Sequence, residues 1–126
     1  ILAGLSRNKE RTEKLIANTG SKITKDRLRH YKLLFSKPNH VKGTLKLMAE
    51  WSLSEFLKNL KNCTSSINFL VGNLDKTVPI SVSKKWSKIL PRTSYYEISG
   101  AGHLVHEEKP YEVSQIILNH LQAIKK

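Results

Sequence analysis

Cysteine is nearly absent. Cys63 stands alone among 126 residues, so no internal disulfide framework can form, and a lone thiol fits a reducing compartment, where a small half-buried packing role outweighs a nucleophilic one. Long apolar runs are missing too. None approaches the roughly 20 residues needed to cross a bilayer, and the first residues lack the charged-then-apolar layout of a signal peptide. The expected home is therefore cytoplasmic. Acidic residues are scarce, 10 against 22 basic ones, and the surplus of +12 would suit phosphate backbones or anionic lipid if it were clustered. It is not clustered. In "SKITKDRLRHYKLLFSK" the lysines and arginines alternate with apolar residues on helical faces, the pattern of solvated outer surfaces. No finger spacing and no stacking aromatics interleaved with basic residues occur, so nucleic acid is not an expected partner. A chain of this length holds one core, as one domain or a piece of one, and because it starts at Ile1 and not Met it is expected to be the tail of something longer.

The first half has helical periodicity. Residues 8–18 form a polar helix with a thin apolar stripe, closed by Gly20 as a left-handed cap. A second helix is predicted over 25–36, with Leu28, Tyr31, Leu34 and Phe35 in register, broken by Pro38. Asn39 can cap a third, which places Val41, Leu45, Met48 and Ala49 on one side and the weak formers Gly43 and Thr44 at a close contact. "SLSE" at 52–55 matches a capping box ahead of Phe56, Leu57 and Leu60.

The second half alternates. "INFLVG" at 67–72 is a near-continuous apolar run between turn formers, as expected of a parallel strand covered on both faces. A helix over 82–90, a second strand over 94–99 and a last helix opened by Pro110 follow, the last with Val113, Ile116, Ile117, Leu121 and Ile124 directed inward. Such a βαβα order gives parallel strands with right-handed crossovers and places functional groups in the loops at the strands' carboxyl ends.

Two side chains occupy those loops: Asp75 just past the first strand and His103 in "GAGHLVHEEKP" just past the second. A carboxylate that accepts from one imidazole nitrogen fixes the tautomer and leaves the other nitrogen free to deprotonate a nucleophile. Taken singly, Asp75 would only cap a turn and His103 would be a loop histidine; at equivalent ends of consecutive strands they are read as a catalytic pair. A metal site is not expected, because His103, His106 and Glu107 match neither the helical His-Glu-x-x-His pattern nor its inverse. His106 is read as a structural hydrogen-bonder, and Glu107 and Glu108 as complements to the positive end of the last helix. No organic cofactor is implied.

"INFLVGNLDKTVP" with "YYEISGAGHLVHEEKPYEVSQIILNHL" resembles the acid and histidine segments of α/β-hydrolase-fold proteins over residues 67–121. With "ANTGSKI" and "LFSKPNHVKGTLKLMAEWSL" added, the likeness spans 16–121 and is to the magnesium-chelatase accessory proteins of bacteriochlorophyll synthesis. The resemblance implies an α/β fold, the C-terminal portion of an α/β-hydrolase: a helical cap segment over 1–50 and the last two parallel strands with their helices over 51–126. It makes Asp75 the triad acid and His103 the triad base. The nucleophile's Gly-x-Ser-x-Gly elbow does not occur in the sequence and is expected upstream. By the same likeness the ligand is an apolar ester or a tetrapyrrole-like molecule, with a chelatase subunit as a partner. Met48 and Trp51 are candidates to face its pocket, against the plainer role of packing cap on body. Two other classes stand beside this one: a noncatalytic accessory protein that binds pigment or partner, and a basic module for nucleic acid or membrane surface. An unpaired edge of the first strand is expected to support a homo-oligomer.

Overall fold

A computed structural model describes residues 9–60 and 62–124. Among the described residues four helices come first: α1 (Lys9–Asn18), α2 (Lys25–Phe35), α3 (Pro38–Ala49) and α4 (Leu53–Leu60). Asn8, the expected start of the first helix, lies outside the described residues. Gly20 closes α1 as predicted: its φ is +82° and its N–H donates to the Ala17 carbonyl at 3.0 Å. Thr24 caps α2, its hydroxyl accepting from Arg27 N–H at 3.3 Å. Pro38 plays a double part. It ends α2, whose C-cap is Ser36, and it also opens α3 at the first helical position with Lys37 as N-cap, which displaces Asn39 from the capping role expected for it. The ring's fixed φ and missing N–H suit a first turn, where no intrahelical acceptor is available.

Gly43 meets no atom within 4 Å of where a Cβ would stand, so the close contact expected there does not form. α3 buries no residue at all, and Leu45 and Met48 on its apolar side are 42% and 61% exposed.

Strands β1 (Ile67–Gly72) and β2 (Thr93–Ile98) pair in parallel, from Ile67 opposite Thr93 to Gly72 opposite Ile98. Between them runs α5 (Ile80–Ile89), which begins two residues earlier than predicted because Pro79 takes the N-cap and starts the turn. After β2 come the short α6 (Val105–Glu108), inside what the sequence suggested was loop, and α7 (Pro110–Ile124).

The core is small and placed under the second loop. Ile98, Ala101, Val105 and Val113 are buried, with Leu70 and Ile116 packed against them. Ala101 and Val105 flank His103, so its loop is anchored on both sides by burial, worth roughly 1.5–3 kcal/mol for a side chain the size of valine. Elsewhere apolar faces stay open. In β1 only Val71 and Gly72 are buried, not the whole strand, and on α7 Ile117 and Leu121 are 47% and 51% exposed where inward packing was expected. The physical reason is width: a sheet of two strands covers one stripe of α7 and no more. Ile124's side chain lies outside the described residues. No described helix is long and apolar enough to cross a membrane.

Candidate active site

Parallel pairing delivers the carboxyl ends of β1 and β2 to one edge, and the two loops that leave it lie against each other. Asn73 ties them together: its N–H donates to the Ile98 carbonyl at 3.1 Å and its side-chain oxygen accepts from Gly100 N–H at 2.8 Å. Leu74 N–H donates to Ala101 at 2.8 Å. Across this frame Asp75 Oδ2 stands 2.9 Å from His103 Nδ1.

The Asp75 carboxylate does two jobs at once. Oδ1 accepts from Thr77 N–H at 2.7 Å and Val78 N–H at 2.9 Å, the local turn expected of an aspartate there, while Oδ2 is left for the imidazole. Burial pushes the carboxyl's pKa up, since the side chain is only 7% exposed, yet the donors from Val78, His103 and Thr77 outweigh it and hold the group below its ordinary value. An ionised carboxylate has no proton to give, so Nδ1–H of His103 must donate. Nε2 then carries the lone pair. The ring is 39% exposed, open to an incoming group.

A third segment completes the site and was legible only as a helix stop. Residues 19–22 after α1 pass beside both loops. The Thr19 carbonyl accepts from Lys76 N–H at 3.1 Å and from His103 N–H at 3.4 Å, and Ser21 Oγ accepts from Leu104 N–H at 2.8 Å. The backbones touch directly. A Cβ on Gly20 would stand 2.0 Å from the Leu74 carbonyl oxygen, one on Gly72 2.3 Å from that of Ala101, and one on Gly102 2.3 Å from the Gly20 carbonyl carbon. Three chain segments can meet this closely only where those side chains are missing.

Both glutamates reach across to the N-terminal segment instead of serving α7 alone, Glu107 to α2 and Glu108 to the turn after α1. Glu107 accepts a short hydrogen bond from Tyr31 Oη and pairs with Arg27 at 3.4 Å. Burial, the Glu107 hydrogen bond and its negative charge push the Tyr31 phenol to about 12, with Arg27 acting the other way. Glu108 bridges backbone donors, Oε1 to Gly102 and Oε2 to Lys22, each at 2.8 Å. His106 is 62% exposed and only approaches Glu107, at 3.9 Å; the structural hydrogen bond expected of it gives way to this loose surface pair. Met48 and Trp51 are 61% and 69% exposed, at and just beyond the end of α3.

No family model matches the chain. Curated relatives do. The chain is 33% identical over 116 residues to the magnesium-chelatase 30 kDa subunit of Rhodobacter capsulatus, covering 92% of this chain and 40% of that protein. It is 36% identical over 77 residues to the chloroplastic pheophytinase of Arabidopsis thaliana, covering 59% and 16%. Among solved structures, a protein of Acinetobacter baumannii described as a lipase superposes with a TM-score of 0.77 at 20% identity, over 96% of this chain and 44% of its own. In each case the chain spans less than half the length of the relative. The chain is similar in sequence to those two curated proteins and has the fold of part of an α/β-hydrolase.

Proposed function

We propose that Asp75 and His103 are the acid and base of a Ser-His-Asp triad, carried by the C-terminal part of a longer α/β-hydrolase whose nucleophile and oxyanion donors come from residues outside this chain. The observation that carries this reading is the Oδ2 to Nδ1 contact of 2.9 Å at the shared carboxyl edge of two parallel strands. In the reaction His103 Nε2 takes the proton of the nucleophile, Asp75 stabilises the imidazolium formed, and the same proton passes to the leaving group. We assign residues 1–50 to the helical cap and 51–126 to the end of the core. Met48 and Trp51 face the acyl or pigment pocket once the body is complete.

The substrate is an apolar ester, and the likeness to a pheophytinase and to a magnesium-chelatase subunit favours one built on a tetrapyrrole. The chelatase likeness also supports a second reading, an accessory protein that holds a pigment intermediate or a chelatase subunit without turning it over. Among the described residues β1 pairs on one side only, and that edge supports self-association of this chain taken by itself; we assign the protein to the cytoplasm.

One comparison separates the two readings: the longer protein, its His103→Ala variant and its Asp75→Asn variant assayed on a tetrapyrrole ester and a short nitrophenyl ester. Hydrolysis by the first alone supports the triad. Tight tetrapyrrole binding without turnover in all three supports the accessory role and contradicts the triad.

A further inference from the structure

We infer that Glu108 is a positioning residue for His103, clamping the histidine loop onto the 19–22 turn so that the imidazole meets Asp75; this rests on the acid–base reading above. The loop needs such a clamp. Gly100, with a φ of +70°, and Gly102 flank Ala101 just before His103, and the burial of Ala101 and the Ser21–Leu104 hydrogen bond at 2.8 Å hold the loop on either side of the Gly102 N–H without engaging it. The histidine's own N–H reaches Thr19 at 3.4 Å, too long to fix its direction alone.

Glu108 supplies what is missing. Oε1 accepts from Gly102 N–H, the peptide just before His103, while Oε2 accepts from Lys22 N–H, 86 residues away in the chain. Both contacts are 2.8 Å, the range of charge-assisted hydrogen bonds. The clamp is itself held. Glu108 N–H donates to Leu104 at 3.0 Å, and α6 is seated by Val105, 8% exposed in the core. Gly102 and Gly20 abut with no room for a side chain, so the carboxylate spans a junction where backbone lies on backbone. The 101–102 peptide is then held at both ends, its carbonyl by Leu74 N–H and its N–H by Glu108, and the direction in which His103 leaves the loop is fixed with it. Because the second oxygen holds the turn after α1, the cap and the base are held by one group.

The test uses two substitutions in the longer protein. Glu108→Gln has the same size but replaces one acceptor oxygen by an NH2 group that would face an N–H donor; Glu108→Ala removes both acceptors. The inference expects kcat to fall roughly tenfold in Glu108→Gln and about 100-fold in Glu108→Ala, with KM within about twofold of wild type, because a misdirected base slows the proton step without touching the substrate pocket. The downfield proton resonance of the hydrogen-bonded His103 Nδ1–H should weaken in the same order. A wild-type kcat and an undiminished resonance in Glu108→Gln would overturn the inference, and this isosteric variant decides the matter if Glu108→Ala does not fold. Failure of the acid–base reading looks different: His103→Ala then retains full activity, while loss of the Nδ1–H resonance in Glu108→Gln still reports the clamp.

Discussion

Asp75 and His103 meet through one carboxylate oxygen, Oδ2 to Nδ1 at 2.9 Å, while the other oxygen of Asp75 is committed to the backbone of Thr77 and Val78. The aspartate therefore builds the turn that aims it. Only the histidine contact bears on chemistry, so the two jobs can be separated by substitution.

Asp75→Asn keeps an Oδ1 to accept from Thr77 and Val78 but presents an NH2 group to His103 Nδ1. In the longer protein it should keep the turn, lose at neutral pH only the modest stability that the charged carboxylate adds, and lose roughly 10⁴-fold in kcat, because the imidazole is driven to the wrong tautomer. Asp75→Ala should lose the turn as well and show a lowered midpoint. Equal stability loss in both variants would argue against the division of labour.

The pH dependence follows from the depressed Asp75 pKa. Its folded value lies below the ordinary 3.8, so the unfolded chain takes up the proton first as pH falls. The stabilising contribution is complete above that ordinary value and is lost as pH falls through the folded one. Unfolding midpoints measured from neutral pH down into the acid should show a steeper acid loss for wild type than for Asp75→Asn. Parallel curves would mean the carboxylate contributes nothing to the fold.

Gly102→Ala places a Cβ 2.3 Å from the Gly20 carbonyl carbon and 2.4 Å from Ser21 N, both backbone atoms that cannot rotate away. A loss of about 1–3 kcal/mol is expected from such overpacking. Gly43→Ala, with open space around it, should be neutral or stabilising by up to about 1 kcal/mol, since alanine is the better helix former. Chemical denaturation of the pair checks the contrast; equal effects would contradict the close packing described at the site.

His106→Ala should leave both activity and stability within a small margin, under about 0.5 kcal/mol, since the ring is 62% exposed and its pairing with Glu107 is a loose surface one. Thermal melts and turnover of the variant test this.

Much of this was written in the chain. The strand-end positions of Asp75 and His103 followed from the apolar run at 67–72 and from "GAGH", because parallel connectivity leaves loops at one edge whatever the details. The glycine stop after α1 was visible from Gly20. What that stop touches was not: Thr19 and Ser21 reach the His103 loop, and Glu108 reaches Lys22, through contacts whose partners lie more than 80 residues apart and leave no local periodicity. The inward direction expected of Ile117 and Leu121 failed for a related reason, since helical spacing marks an apolar face but not whether the chain supplies enough sheet to cover it. Pro38 breaks one helix, as its ring requires, and starts the next, which periodicity does not reveal.

The central claim, that His103 is a general base oriented by Asp75, is tested most directly by the rate at which a fluorophosphonate probe labels a serine in the longer protein, wild type against His103→Ala. A serine made nucleophilic by Nε2 of His103 should be labelled in wild type and lose that labelling by at least roughly 10³-fold in the variant. Equal labelling of the two proteins, or none in wild type, would contradict it.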